Sequence, residues 1–125
     1  LMICFDWFFP ESARTLALSG AEIIAHPANL VLPYCPVGMP IRCLENRVFA
    51  ITANRIGTEE RKKGKRFIYI GMSQIVSPEG TVLVRAPEEK EEFRTTEIDP
   101  SRARDKSINR YNNLFSDRRK DLYAL

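Results

Sequence analysis

Residues 1–26 read as strand, helix and strand, and this pattern restricts the fold more than any other stretch of the chain. Leu1-Met2-Ile3-Cys4-Phe5 is apolar throughout, as expected of a strand buried on both faces. Pro10 suits the first position of a helix and Glu11 its first turn. Ala13, Leu16 and Ala17 then share one face, and Gly20 supplies a left-handed stop, so a helix is predicted over 10–19. Glu22-Ile23-Ile24-Ala25-His26 reads as a second short strand ended by Pro27. Two strands joined through a helix lie parallel in one sheet, which makes the chain α/β. A strand as apolar as residues 1–5 needs sheet neighbours on both sides.

The remaining stretches continue this alternation. Residues 27–38, with Pro27, Pro33, Pro36 and Gly38, are expected to be irregular and to leave the carboxyl end of a strand, where ligand sites gather. Met39, Ile41, Leu44 and Val48 fit one helical stripe with Pro40 at its start. Val48 to Asn54 and Phe67 to Val76 read as strands. Ser77-Pro78-Glu79-Gly80 is a turn, and Thr81 to Arg85 pairs back across it. An acidic loop over Glu88 to Glu92, a strand over Phe93 to Ile98, a helix opened by Asp99-Pro100 and a last polar helix from Ser116-Asp117 complete the prediction.

The length of 125 residues suits one domain, and 44% hydrophobic with 28% charged residues is an ordinary globular balance. The apolar runs are too short to span a bilayer, and Met2-Ile3 offers no basic leader, so a cytoplasmic protein without a membrane partner is expected. The net charge is +3, concentrated in Arg61-Lys62-Lys63-Gly64-Lys65-Arg66. That run is read as a solvated hairpin loop rather than a nucleic-acid site, because Thr58-Glu59-Glu60 precede it and apolar residues follow. Three cysteines without CxxC spacing argue against a disulfide framework or a zinc site, and the only histidine is His26.

Cys4 itself has two readings. A free cysteine is often a small buried hydrophobe. A thiol at a strand-to-helix corner is also where a nucleophile is held, and His26, at the end of the neighbouring strand, is a base within reach of it.

Cys4-Phe5-Asp6-Trp7-Phe8-Phe9-Pro10-Glu11 resembles the nucleophile motif of the nitrilase, or carbon–nitrogen hydrolase, superfamily: cysteine, any residue, Asp, two variable residues, an aromatic, Pro and Glu. The likeness continues in register. His26-Pro27-Ala28-Asn29 resembles the strand end beside the active site, and Arg42-Cys43-Leu44-Glu45-Asn46 the Arg-Ala-x-Glu-Asn helix. Ala53-Asn54-Arg55 with Gly57, then Phe67, Gly71, Ser73, Pro78 and Gly80, resemble the strand and hairpin that follow. Ile98-Asp99 and Asp117-Arg118-Arg119 with Tyr123 resemble the family's tail. The small nitrilases of hyperthermophilic archaea are the most similar members.

The resemblance implies the C-terminal part of a four-layer α-β-β-α sandwich, with the strand–helix–strand unit in one sheet and the later hairpin in the other. It implies hydrolysis of a nitrile or amide with no metal or cofactor: Cys4 is the nucleophile and the backbone N–H of Phe5 an oxyanion donor. Trp7, Phe8, Asn29 and Leu30 are expected to line the substrate pocket, with Tyr34 reaching it. Bulky, uncharged Trp7 and Phe8 stand where carbamoyl-amino-acid hydrolases carry an arginine, so a neutral substrate is expected. The family's base is a glutamate and its oxyanion cation a lysine, both upstream of the cysteine. Only three residues precede Cys4, and the first is Leu, so residues 1–125 are expected to be part of the domain, a partial sequence that is inactive alone. His26, Glu11 and Glu45 are then structural, Cys43 inert and Cys35 exposed. Members pair through the helix after the nucleophile and the helix near 40–47, so Leu18, Met39 and Leu44 are candidate contacts of a homo-oligomer. The alternative is a non-catalytic interaction module that completes a partner half.

Overall fold

The computed structural model describes residues 1–62 and 64–123, so Lys63 of the basic run lies outside the described residues. A 3-10 turn over Cys4–Phe8 leads into α1 (Pro10–Leu18), β1 (Ile23–Ala28), α2 (Cys35–Asn46), β2 (Phe49–Asn54), β3 (Ile56–Arg61), β4 (Lys65–Ile70), β5 (Gln74–Val76) and β6 (Val82–Arg85). A second 3-10 turn covers Pro100–Ala103. One sheet has four strands in the order β1-β2-β5-β6, and β3-β4 form a separate two-stranded ribbon.

The parallel pair is β1 and β2, joined across α2, with Ile24 opposite Ala50 and His26 opposite Thr52. Strand periodicity explains which face is covered. Ile24, His26, Ala50, Thr52, Gln74 and Val76 are buried on one face, where α2 packs, while Ile23 and Ile51 stand exposed on the other. α1 packs beside α2 through Ala13 and Ala17, whose small side chains permit close approach. Gly20, at φ +90, ends α1 as expected.

Several expectations change. Residues 1–3 are extended but are not a strand of the sheet: Met2 N–H bonds the Ala25 carbonyl at 3.0 Å, Met2 is buried, and Leu1 and Ile3 are exposed. The chain turns away from the edge of β1 at Cys4, whose φ of 48° breaks the extended geometry. β1 runs on through Pro27, which an edge strand tolerates because it need not donate outward.

α2 begins at Cys35, with Pro36 in its first turn and Pro40 inside it. Its buried stripe is Cys35, Pro36, Met39, Cys43 and Asn46, so Ile41 and Leu44 face outward. Cys35 is therefore buried rather than exposed, and Met39, fully buried, is no surface contact.

The predicted long strand 67–76 is two strands in two sheets. Gly71 at φ 57° and Met72 at φ 54° turn the chain between them. A side chain at Gly71 would also collide with the Glu88 backbone. The β5–β6 hairpin consequently joins the sheet of β1 and β2 and does not build a second one. Residues 93–98 form no strand, and Phe93 is 89% exposed. Asp99 caps its turn as expected, accepting from Ser101 N at 2.9 Å, but that turn is 3-10. Turns replace the last polar helix over the described residues after 116.

Candidate active site

Cys4 sits where extended Ile3 meets the 3-10 turn, in a left-handed conformation that L-residues other than Asn and Asp rarely adopt. Two neighbours hold it there. The Asp6 carboxylate accepts the Ile3 N–H at 3.1 Å while Asp6 N–H bonds the Ile3 carbonyl at 3.0 Å, a reciprocal lock around the cysteine. From the sheet, His26 Nε2 lies 2.8 Å from the Cys4 carbonyl. The lock spans three residues, from Ile3 to Asp6, and encloses Cys4.

The turn is clamped from α2. Arg42 donates from Nε to the Trp7 carbonyl at 3.1 Å and from Nη2 to the Phe8 carbonyl at 3.3 Å, while its Nη1 meets Glu45 Oε1 at 3.0 Å. Arg14 Nη2 bonds the Glu45 carbonyl at 2.7 Å, and Asn46 Nδ2 the Arg42 carbonyl at 2.8 Å. The Arg42-to-Asn46 motif is therefore a device for fixing the turn that carries the cysteine. Glu45 takes the structural role expected of it; Glu11 lies in the first turn of α1.

A cavity of about 100 Å³ opens beside the thiol, lined by Cys4, Phe5, Trp7, Phe8, Asn29, Leu30, Val31 and Leu32. The structure thus brings Cys4 together with all four residues expected in the pocket. Tyr34 lies elsewhere: it lines an adjoining cavity of about 480 Å³ with Trp7, Phe8, Pro33, Val37, Gly38 and Arg42. Trp7 is buried between the two. Asn54 holds the 29–32 wall. Its Oδ1 accepts Leu30 N–H at 2.8 Å, its Nδ2 donates to the Gly71 carbonyl at 2.7 Å, and its backbone N–H meets Ser73 Oγ at 2.9 Å. The motif residues Asn54, Gly71 and Ser73 are one node.

Sequence reading missed a polar row across the covered sheet face. His26 Nδ1 lies 3.1 Å from Thr52 Oγ1, and Gln74 accepts two bonds from Arg85, which also donates to the Pro36 carbonyl at 2.8 Å. The signal was present: each is a polar side chain at an alternating position of an otherwise apolar strand. His26 is 1% exposed, and burial lowers its pKa, opposed by its bond to the Cys4 backbone and by the Asp6 charge. Burial pushes the Cys35 and Cys43 thiols up to about 12, with the Cys4 charge a further cause at Cys35.

Residues 1–107 match the carbon-nitrogen hydrolase family. The chain belongs to that family. A nitrilase of Pyrococcus abyssi is 56% identical over 123 residues, covering 98% of this chain and 45% of the nitrilase. The carbon-nitrogen hydrolase of Helicobacter pylori G27 superposes with a TM-score of 0.84 at 29% identity, over 98% of this chain and 46% of that one. The fold is therefore the C-terminal part of the carbon–nitrogen hydrolase sandwich. A Glu-to-Gln mutant of an amidase from Nesterenkonia sp. AN1, 31% identical with a TM-score of 0.60 over 70% of this chain and 34% of its own, shows the result of Michael addition of acrylamide at its active site cysteine. The chain spans less than half the length of curated relatives it matches. Among the described residues, no helix is long and apolar enough to cross a membrane.

Proposed function

We propose that Cys4 is the nucleophile of a hydrolase that cleaves a small, neutral nitrile or amide. The observation that carries this reading is the left-handed Cys4, held from both sides at the mouth of an apolar cavity. Such strain persists where surrounding structure over-determines it and clusters at working sites.

With an amide, the thiolate adds to the carbonyl carbon. The Phe5 N–H, in the first turn where helical partners are lacking, donates to the developing oxyanion. The C–N bond breaks, ammonia leaves carrying the proton that the Cys4 thiol gave up on becoming the thiolate, and a thioester remains on Cys4. Water then adds, the C–S bond breaks, and the acid leaves with the thiol regenerated. With a nitrile, one water is taken up before ammonia departs. Trp7, Phe8, Asn29 and Leu30 enclose the acyl part, and about 100 Å³ favours a short chain.

No residue of this chain matches the glutamate base and the lysine that the family resemblance calls for. These 125 residues, as part of a carbon–nitrogen hydrolase domain, are therefore inactive by themselves, since groups that act as a unit are lost together. Exposed Leu18, Ile41 and Leu44 on α1 and α2 form the surface for a second copy. The test is ammonia release from small aliphatic nitriles and amides. A longer form carrying both missing groups should turn over and lose at least about 10⁴-fold on Cys4→Ala. Turnover that survives that substitution would refute the nucleophile, and Cys4-dependent release by the 125 residues alone would refute the need for further groups.

A further inference from the structure

The one histidine of the chain is a buried polar group for which the proposed reaction has no task. We propose that His26 is a positioning residue for Cys4: its Nε2–H holds the Cys4 carbonyl and so keeps the backbone in the left-handed conformation that presents the thiol to the cavity. This rests on the reading of Cys4 as nucleophile.

For the neutral ring the geometry fixes the tautomer. A carbonyl oxygen only accepts, so the nitrogen 2.8 Å from it, Nε2, carries the proton. Nδ1, 3.1 Å from Thr52 Oγ1, then accepts from that hydroxyl. Thr52 stands opposite His26 in the β1–β2 register, so the sheet sets the position of the ring. Both nitrogens are engaged with oxygens, and neither offers a lone pair to the thiol, so the ring is not the base. Asp6 locks the peptide of Ile3, whereas His26 acts on the peptide of Cys4 itself and ties it to the core. The burial that lowers the ring's pKa suits this neutral tautomer.

The test separates the two nitrogens. In His26→Gln the side-chain amide reaches the place of Nε2 and can donate to Cys4, whereas in His26→Asn it reaches only the place of Nδ1. Acrylamide addition at Cys4 is followed by peptide mass in both variants, in Thr52→Val and in the unsubstituted chain, across pH. His26→Asn should slow addition about tenfold, the effect of losing one net hydrogen bond. His26→Gln should stay within about threefold of the unsubstituted chain, and Thr52→Val, which frees the tautomer, should slow addition about threefold. The pH profile should keep its shape. Equal rates for His26→Asn and His26→Gln, both slow or both unchanged, would mean packing alone and overturn the proposal, as would loss of the profile's thiol limb. Should His26→Asn not fold, an unchanged rate in Thr52→Val overturns it. If Cys4 of the unsubstituted chain reacts no faster than in urea, the nucleophile reading fails and this proposal fails with it.

Discussion

Gly38→Ala sets two effects of opposite sign against each other. Gly38 lies inside α2, where alanine is favoured over glycine by about 1 kcal/mol. A Cβ there would overlap Trp7 Cζ3 and stand 3.2 Å from Cε3 and 3.3 Å from Cη2. The indole is rigid and 6% exposed, so it cannot give way like the end of a flexible side chain. Overpacking of this kind costs about 1–3 kcal/mol. Taking the middle of that range, the variant should be less stable by about 1 kcal/mol. With a urea slope near 2 kcal/mol/M, its midpoint should fall by about 0.5 M. The displaced ring also intrudes on the Cys4 cavity, which Trp7 lines, so acrylamide addition at Cys4 should slow. Trp7→Phe in the same background should recover part of both losses, with a coupling of about 1 kcal/mol. A urea midpoint that rises by about 0.5 M would show helix propensity winning, and would refute the reasoning that the Trp7 indole cannot give way.

Arg42→Lys should lower stability by about 1–2 kcal/mol in urea melts and slow labelling of Cys4, because one ammonium cannot replace a fork that grips Trp7 O, Phe8 O and Glu45 together. Iodoacetamide near pH 8 should modify Cys4 alone in the folded chain, with Cys35 and Cys43 reacting only in urea, since their thiols are pushed up to about 12. For His26 the folded pKa lies below the ordinary 6.5. Above 6.5 the ring is neutral in both states; as pH falls through it, the unfolded chain takes the proton first and the native state loses stability until the lower folded value is reached. The urea midpoint should therefore drop more steeply from about pH 7.5 to about 5.5 in the unsubstituted chain than in His26→Gln. Asn54→Ala should cost about 1–3 kcal/mol in the same melts, leaving Leu30 N–H and the Gly71 carbonyl without their partner.

Local signals were legible where a residue's own chemistry decides its conformation. Pro10, Gly20 and the Ala13/Ala17 face gave α1 almost to the residue, and Asp99-Pro100 marked a true turn. Gly71 was visible as a motif residue, but its left-handed φ, and that of Met72 beside it, were not, so one long strand was expected where the chain switches sheets. The α2 stripe was misread because a proline inside a helix looks like a helix start. Phe93 to Ile98 carries strand propensity, yet no neighbouring strand pairs with it, and propensity without a ladder does not make a strand.

The order of residues alone determined the family motif, the helix after Cys4 and the group of residues expected around the thiol, because these depend on identity and short spacing. Tertiary structure decided what the motifs do. Arg42 and Glu45 are 34 or more residues from the turn they secure, and Asn54 is 24 from the loop it pins. His26 meets Thr52 only because two parallel strands pair in one register. Strain at Cys4 is likewise a tertiary property: its own sequence prefers an extended or right-handed backbone, and contacts from Asp6 and the sheet hold it elsewhere.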